Sequence, residues 1–163
     1  MNNSDVDMLL GQCRLELDHV QSCIANLGIT SPVAPYLTKY AVIKACGVIE
    51  VSFKSLIADF CSRRSKKQIK RFISNRIVRG SANPSHDNIL KFLKEFDEDW
   101  KKKFSINLNA DPDSAHMKSS LTSLVDARNE FAHGGNPTIS MSDVILHFDF
   151  ARKVVEHIDG VIV

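Results

Sequence analysis

Apolar residues recur at steps of three and four positions along most of this 163-residue chain, and this spacing constrains its fold more than any other feature. At about 100° per residue, such steps place the apolar side chains on one face of an α-helix. No stretch shows the alternation of a half-buried strand, and no internal repeat is visible. The sequence therefore predicts an all-α fold, an up-and-down bundle of about five to six helices in a single domain over residues 1–163.

Capping residues and turn-forming residues predict where the helices begin and end. The first helix follows a cap at Asn3 or Ser4 and stops at Gly28, and the second covers residues 35 to about 61. Further helices are predicted near 65–78, over the apolar residues from Ile89 to Trp100, from Asp113 to Gly134, and after a cap at Ser142. The second helix is apolar over most of its circumference, as is typical of a central helix or of a subunit interface.

The composition argues against several classes of protein. With 44% hydrophobic and 25% charged residues, the chain can bury a core without cross-links. Its four cysteines form no C-x-x-C pair, so reduced core thiols are expected: Cys13, Cys23, Cys46 and Cys61. There is no leader-like N-terminus and no apolar run approaching 18 residues, which predicts a cytoplasmic protein without a membrane partner. Metal-binding and nucleotide-hydrolysis motifs are missing from the sequence, so no metal or cofactor is expected.

Positive charge is concentrated in one segment, residues 63–79. The whole chain has a net charge of only +2, yet this segment contains eight basic residues and no acidic one. Six of them are candidate RNA contacts: Arg63, Arg64, Lys66, Lys67, Lys70 and Arg71. Such a segment can attract a polyphosphate partner, because each neutralised phosphate releases counterions. The alternative is an ordinary solvated helix face.

The stretch DARNEFAHGG, residues 126–135, contains the most informative pair of side chains. An arginine followed after four to six residues by a histidine occurs four times in the chain, so the pattern alone means little. Only Arg128 projects from the middle of an apolar helical arc, and His133 directly precedes two glycines that can end the helix and reorient the imidazole. The competing pairs are Arg14–His19, Arg79–His86 and Arg152–His157. The alternative for Arg128 is a buried ion pair with Asp or Glu.

Arginine, histidine and a neighbouring amide suit one reaction in particular. RNA supplies its own nucleophile, the 2′-hydroxyl, so an enzyme needs a proton-transferring group and a cation for the phosphorane oxygens. His133 and Arg128 are those groups, and the Asn129 amide lies four residues before His133, within reach of its ring. Transesterification benefits from a base and an acid on opposite sides of the phosphate, but one chain supplies a single histidine here. Two subunits packed through the arc of Arg128 would supply two histidines, so the sequence predicts a homodimer.

The motif ARNEFAHGG resembles the R-x4-6-H signature of HEPN domains, with a polar residue after the arginine and small residues after the histidine. The helix KACGVIEVSFKSLIADF resembles the apolar helix with an embedded glutamate, here Glu50, of the RiboL-PSP-HEPN branch. The resemblance implies a dimerising helical bundle and a metal-independent endoribonuclease, often deployed in toxin–antitoxin, phage-defence or RNA-processing systems. It implies catalytic roles for Arg128 and His133, with Asn129 assisting, and an antitoxin or another protein as a further partner.

Two questions remain open at the level of the sequence: the role of Glu50 and the functional class of the protein. Glu50 either orients Arg128 or His133, or it pairs with a lysine. The protein is either an active nuclease or an inactive HEPN-like dimer that binds RNA or a protein, with residues 63–79 as its main contact. A bundle with a purely structural role is the third possible function.

Overall fold

The computed structural model describes residues 1–28, 30–135 and 138–162. These residues form seven α-helices and one π-helical turn, and they contain no strand, which confirms the all-α prediction. The helices are α1 (Ser4–Leu27), α2 (Ala34–Ser62), α3 (Lys67–Ile73), α4 (His86–Phe96), α5 (Glu98–Ala110), α6 (Ser114–Ala132) and α7 (Met141–Asp159), with the π-helical turn at Ser74–Val78. Within these ranges, no helix combines the length and the apolar character that crossing a membrane requires.

The core lies between α1, α2, α6 and α7, which pack against one another. Helix α2 contacts each of the other three, as expected from its weak amphipathicity. Large side chains from all parts of the bundle are fully buried, among them Leu10, Ile49, Phe53, Leu121 and Phe148. Helices α4 and α5 pack on each other and against α6 and α7, and they bury Ile89, Leu93 and Phe104 in the same core. The apolar arcs of the sequence thus meet in one cluster.

Helix α3 and the π-helical turn lie on the C-terminal half of α2. Only Ile73 and Ile77 are buried from this part of the chain, and they pack with Ala58 in a small separate cluster. The remaining side chains of α3 face solvent. The basic segment is therefore helical, as predicted, but it is held to the bundle by few apolar contacts.

The predicted helix over Ile89 to Trp100 is wrong, because the structure contains two helices there. Asp97 has extended backbone angles (φ −157°, ψ 120°), and its carboxylate accepts hydrogen bonds from the backbone N–H groups of Asp99 (2.7 Å) and Trp100 (3.3 Å). Aspartate is a favoured N-cap because its side chain satisfies these otherwise unpaired donors. The apolar spacing continues through this break, so periodicity alone does not show it.

The cap of the last helix also differs from the prediction. Ser140, not Ser142, accepts from the N–H of Asp143 (3.1 Å), and the Asp143 carboxylate accepts in return from the Ser140 N–H (3.1 Å). This reciprocal capping box starts α7 at Met141. The four cysteines are free thiols, with Cys13 and Cys46 buried, Cys61 partly buried and Cys23 exposed. The expectation of core thiols therefore fails for Cys23.

Replacement of the cap between α4 and α5 tests this boundary. Asp97→Ala leaves two N–H groups of α5 without an acceptor, so we expect the free energy of unfolding to fall by about 1 kcal/mol. Urea denaturation followed by circular dichroism measures the change. Glu95→Ala removes an exposed carboxylate from the same region and should alter stability by less than about 0.5 kcal/mol. Equal effects of the two substitutions would contradict a capping role for Asp97.

Candidate active site

Arg128 lies at the end of the buried stripe of α6. Met117, Leu121 and Leu124 are buried at steps of four and three residues, and Arg128 continues the stripe one turn further, where it is half-buried. Its Nη1 donates to the side-chain oxygens of Asn83 (3.1 Å) and Asn129 (3.2 Å). No other described residue accepts from its Nε or Nη2. The guanidinium is thus held by hydrogen bonds from a single nitrogen, Nη1, to the oxygens of two uncharged amides.

Two of the three other arginines of the same pattern, Arg14 and Arg152, have different surroundings, and the third, Arg79, is exposed and forms no ion pair with the described residues. Arg14 binds Asp18 and, through Nε, Asp149 at 2.8 Å, and Arg152 binds Asp7 at 2.8 Å and Glu156 at 3.1 Å. Their charges are therefore balanced within the fold. No ion pair of Arg128 is found among the described residues, so the buried ion-pair alternative is not supported there. A half-buried cation without a carboxylate is suited to bind an anion.

The end of α6 has the geometry of a Schellman motif. Gly134 has a left-handed backbone (φ +83°), and its N–H donates to the Phe131 carbonyl (3.1 Å). The N–H of Gly135 donates to the Glu130 carbonyl (2.9 Å), and a Cβ on Gly135 would lie 2.5 Å from the Glu130 Cγ. Glycine avoids the steric cost of this conformation and of this close approach. The two glycines therefore end the helix at His133, as predicted.

His133 is the exposed C-cap residue of α6. Its backbone N–H donates to the carbonyls of Asn129 (3.1 Å) and Glu130 (3.2 Å), and its imidazole forms no hydrogen bond with the described residues. The predicted contact between the Asn129 amide and this ring is missing there, and the amide oxygen accepts from Arg128. Asn129 thus positions the arginine, and the histidine is open to solvent.

Cys46 marks the side of α2 that faces Arg128. Burial raises the pKa of its thiol to about 11, and the positive charge of Arg128 opposes this rise without overcoming it. The thiol is therefore protonated at neutral pH and is not a nucleophile. This cysteine is therefore not a candidate catalytic residue.

The loop 80–85 carries Asn83 to Arg128 and is anchored by α2. The Glu50 carboxylate accepts from the Ala82 N–H (2.8 Å), and the Lys54 ammonium donates to the Gly80 carbonyl. Lys54 is only 3% exposed and pairs with Glu50 at 2.9 Å. Glu50 thus pairs with a lysine, the second of its two expected roles, and through the loop it also supports Arg128.

Asn83 is the site residue that the sequence did not reveal. It lies 45 positions before Arg128, in a turn-forming stretch without periodicity. Its backbone carbonyl accepts from the Asn88 side chain (3.0 Å), so the loop is also held at the start of α4. No spacing rule connects such a loop residue with a distant helix end, and only the packed structure shows the contact.

The six predicted RNA-contacting residues are all exposed in α3 or in the connection before it. They lie outside the immediate surroundings of Arg128, since no described contact joins them to it. The chain nevertheless runs directly from the basic segment into the loop 80–85 that holds Arg128. The described residues contain no cluster of three or more His, Cys, Asp or Glu side chains that could hold a metal ion.

A groove of about 740 Å³ is lined in part by Phe131, near the end of α6. Its lining is mostly apolar, and Lys39 is the one charged residue among those that line it. The Lys39 ammonium lies 5.2 Å from the centre of the Phe131 ring. This groove offers few groups for phosphate, so the basic segment is the better candidate for the path of a polyanion.

Glu50 and Lys54 can be tested as the anchor of the loop. Glu50→Ala leaves the buried Lys54 ammonium without a carboxylate, and we expect the free energy of unfolding to fall by about 3 kcal/mol. The double variant Glu50→Gln, Lys54→Met removes both charges and keeps an acceptor for the Ala82 N–H, so it should recover most of that loss. Urea denaturation measures both variants. A double variant as unstable as Glu50→Ala would contradict the ion-pair explanation.

Comparison with protein-family models gives a match to RiboL-PSP-HEPN over residues 13–163. The match includes Glu50, the basic segment, and the motif from Arg128 to His133. Comparisons with curated proteins and with solved structures give no match. HEPN domains are generally associated with ribonuclease activity. The family model covers nearly the whole chain and agrees with the all-α architecture, and the protein therefore belongs to the RiboL-PSP-HEPN family.

Proposed function

We propose that the protein is a metal-independent endoribonuclease that cleaves single-stranded RNA. One observation carries the proposal: the Arg128 guanidinium is held by two amide oxygens, without a carboxylate among the described residues, five residues before an exposed histidine. Its Nε and Nη2 donate to none of the described residues, so both can donate to a phosphate. A fixed cation and a solvent-accessible imidazole are the two groups that cleavage by the 2′-hydroxyl requires.

In the proposed reaction, the 2′-oxygen attacks the adjacent phosphorus and the bond to the 5′-oxygen breaks. The products are a 2′,3′-cyclic phosphate and a 5′-hydroxyl end. His133 accepts the proton of the 2′-hydroxyl, and a second imidazole donates a proton to the departing 5′-oxygen. Arg128 stabilises the negative charge of the phosphorane, and Asn129 and Asn83 hold the guanidinium in place.

A symmetric dimer would supply the second imidazole, but not through the predicted arc of α6, because Met117, Leu121 and Leu124 of that arc are buried in the core of the single chain. Helix α2 exposes an apolar stripe at steps of three and four residues, formed by Tyr36, Tyr40, Ile43, Gly47 and Val51. This stripe ends next to Glu50, whose loop holds Arg128. In a two-fold assembly, any site beside the shared face occurs twice. A second copy packed on the stripe would therefore bring two Arg128 and two His133 side chains to one interface.

The basic segment supports the choice of RNA as substrate. Its eight cations form no ion pair with the described residues, so they are free to neutralise phosphates. Cleavage of cellular RNA arrests growth, which suits a toxin or a phage-defence effector in the cytoplasm. An antitoxin partner and this biological role are part of the proposal.

The reaction predicts cleavage of single-stranded RNA in the presence of EDTA, with 2′,3′-cyclic phosphate ends. His133→Ala should lower the rate by about 10²- to 10⁴-fold because the proton-transfer group is lost. Arg128→Ala should lower it by about 10²- to 10³-fold because the phosphorane charge is no longer stabilised. Gel analysis of a labelled oligonucleotide measures the rates, and mass spectrometry identifies the ends.

His19→Ala is the matched control, because His19 is an exposed histidine of the same sequence pattern in α1. Its cleavage rate should equal that of the unmodified protein. Circular dichroism should show that both active-site variants remain folded. Activity that survives His133→Ala, or that needs a divalent metal, would refute the mechanism. RNA binding without any cleavage would favour the inactive binding module instead.

The proposed dimer predicts twice the chain mass by light scattering at micromolar concentration. Ile43→Glu places a charge in the middle of the α2 stripe, so it should yield a monomer and abolish cleavage. Leu15→Glu is the control, since Leu15 is 62% exposed on α1 and Ile43 is 54% exposed on α2. The control should remain dimeric and active. A monomeric unmodified protein would contradict the composite site.

A further inference from the structure

The outer face of α3 exposes two large apolar side chains within the basic segment. Phe72 is 62% exposed and Ile69 is 51% exposed, whereas Phe53, Phe104 and Phe148 are fully buried. The inner face of the same segment is already anchored by Ile73 and Ile77. The Phe72 ring is therefore not needed to attach the helix, and it faces solvent among cations.

The groups around Phe72 are complementary to a polyanion. Lys67, Lys70, Arg71 and Arg76 are exposed, and none forms an ion pair with the described residues. Gln68 and Asn75 are exposed side-chain amides four residues before and three residues after the ring. An aromatic ring that lies among free cations and amides can stack on a base while the cations contact the adjoining phosphates.

We propose that Phe72 is a stacking platform for an unpaired nucleobase, and that Lys67 and Arg71, which lie four residues apart on one side of α3, contact the adjoining phosphates. A base inside a duplex is already stacked on both faces, so this platform selects single-stranded RNA. The inference deepens the proposed function, and it rests on that function for the fate of the bound strand. Beyond Phe72 the chain leads through the π-helical turn into the loop that holds Arg128.

A lipid surface fits the same segment less well. An interfacial helix buries a continuous apolar face, but α3 has seven residues and exposes only Ile69 and Phe72 as large apolar groups. Gln68 and Asn75, four residues before and three residues after Phe72, are exposed amides, and burial in acyl chains would leave them unpaired. These features favour a nucleobase, which has both a π face and polar edges.

The test compares two oligonucleotides that the protein cannot cleave. Both consist of 2′-O-methyl RNA, which lacks the attacking hydroxyl, and one is abasic along its whole length. Phe72→Leu should weaken binding of the intact strand by about 5- to 100-fold in Kd, as for the loss of one base–aromatic stack. The same substitution should change binding of the abasic strand by less than about two-fold. Fluorescence anisotropy measures both.

Two further variants distinguish the contribution of stacking to RNA affinity from the contribution of charge and from the effect of losing exposed apolar surface. Lys67→Ser with Arg71→Ser should weaken both strands equally and flatten the salt dependence, because phosphates are present in each. Phe96→Leu changes a partly exposed phenylalanine of α4 and should leave the affinity for both strands unchanged. Equal losses on intact and abasic strands for Phe72→Leu would overturn the stacking proposal.

Two other results would also overturn it. Loss of the dimer mass in Phe72→Leu would assign the ring to a subunit contact, and loss of binding to phosphatidylserine vesicles with unchanged RNA binding would assign it to a lipid surface. Cleavage is measured separately with unmodified RNA. If that RNA stays intact while the difference between the two strands is observed, the nuclease proposal fails and the stacking proposal stands.

Discussion

The candidate site depends on a cation, Arg128, whose charge is balanced by no carboxylate among the described residues. The apolar stripe of α6 leads Arg128 into a half-buried position, where a free guanidinium is costly unless it is hydrogen-bonded. Asn83 and Asn129 provide hydrogen bonds but no negative charge. The arginine is therefore oriented and still able to bind an anion, in contrast to Arg14 and Arg152, which are neutralised by carboxylates.

The second organising interaction is the ion pair of Glu50 and Lys54 on α2. It binds the loop 80–85 by its backbone at Gly80 and Ala82, and this loop presents Asn83 to Arg128. The same loop follows the basic segment along the chain. One buried pair thus connects the surface that we propose to bind RNA with the residues that we propose to cut it. A shift of this loop would therefore move both the basic segment and Asn83.

Much of the fold follows from local rules. The limits of α1 and α2, the end of α6 at His133 and the left-handed Gly134 agree with apolar spacing and with the preference of glycine for positive φ. The break at Asp97 was missed because the apolar positions continue across it. The capping residues that decide such a break act over only three positions, and a longer periodic signal masks them.

The sequence by itself determined the helical class, the family and the motif from Arg128 to His133, because periodicity and short motifs are properties of neighbouring residues. Only the tertiary structure decided which partners these residues have. It brought Asn83 to Arg128 from 45 positions away, and it anchored the loop 80–85 on Glu50 and Lys54 through the backbone of Ala82 and Gly80. Such contacts depend on how helices pack and where a loop is anchored, and no local spacing in the chain encodes them.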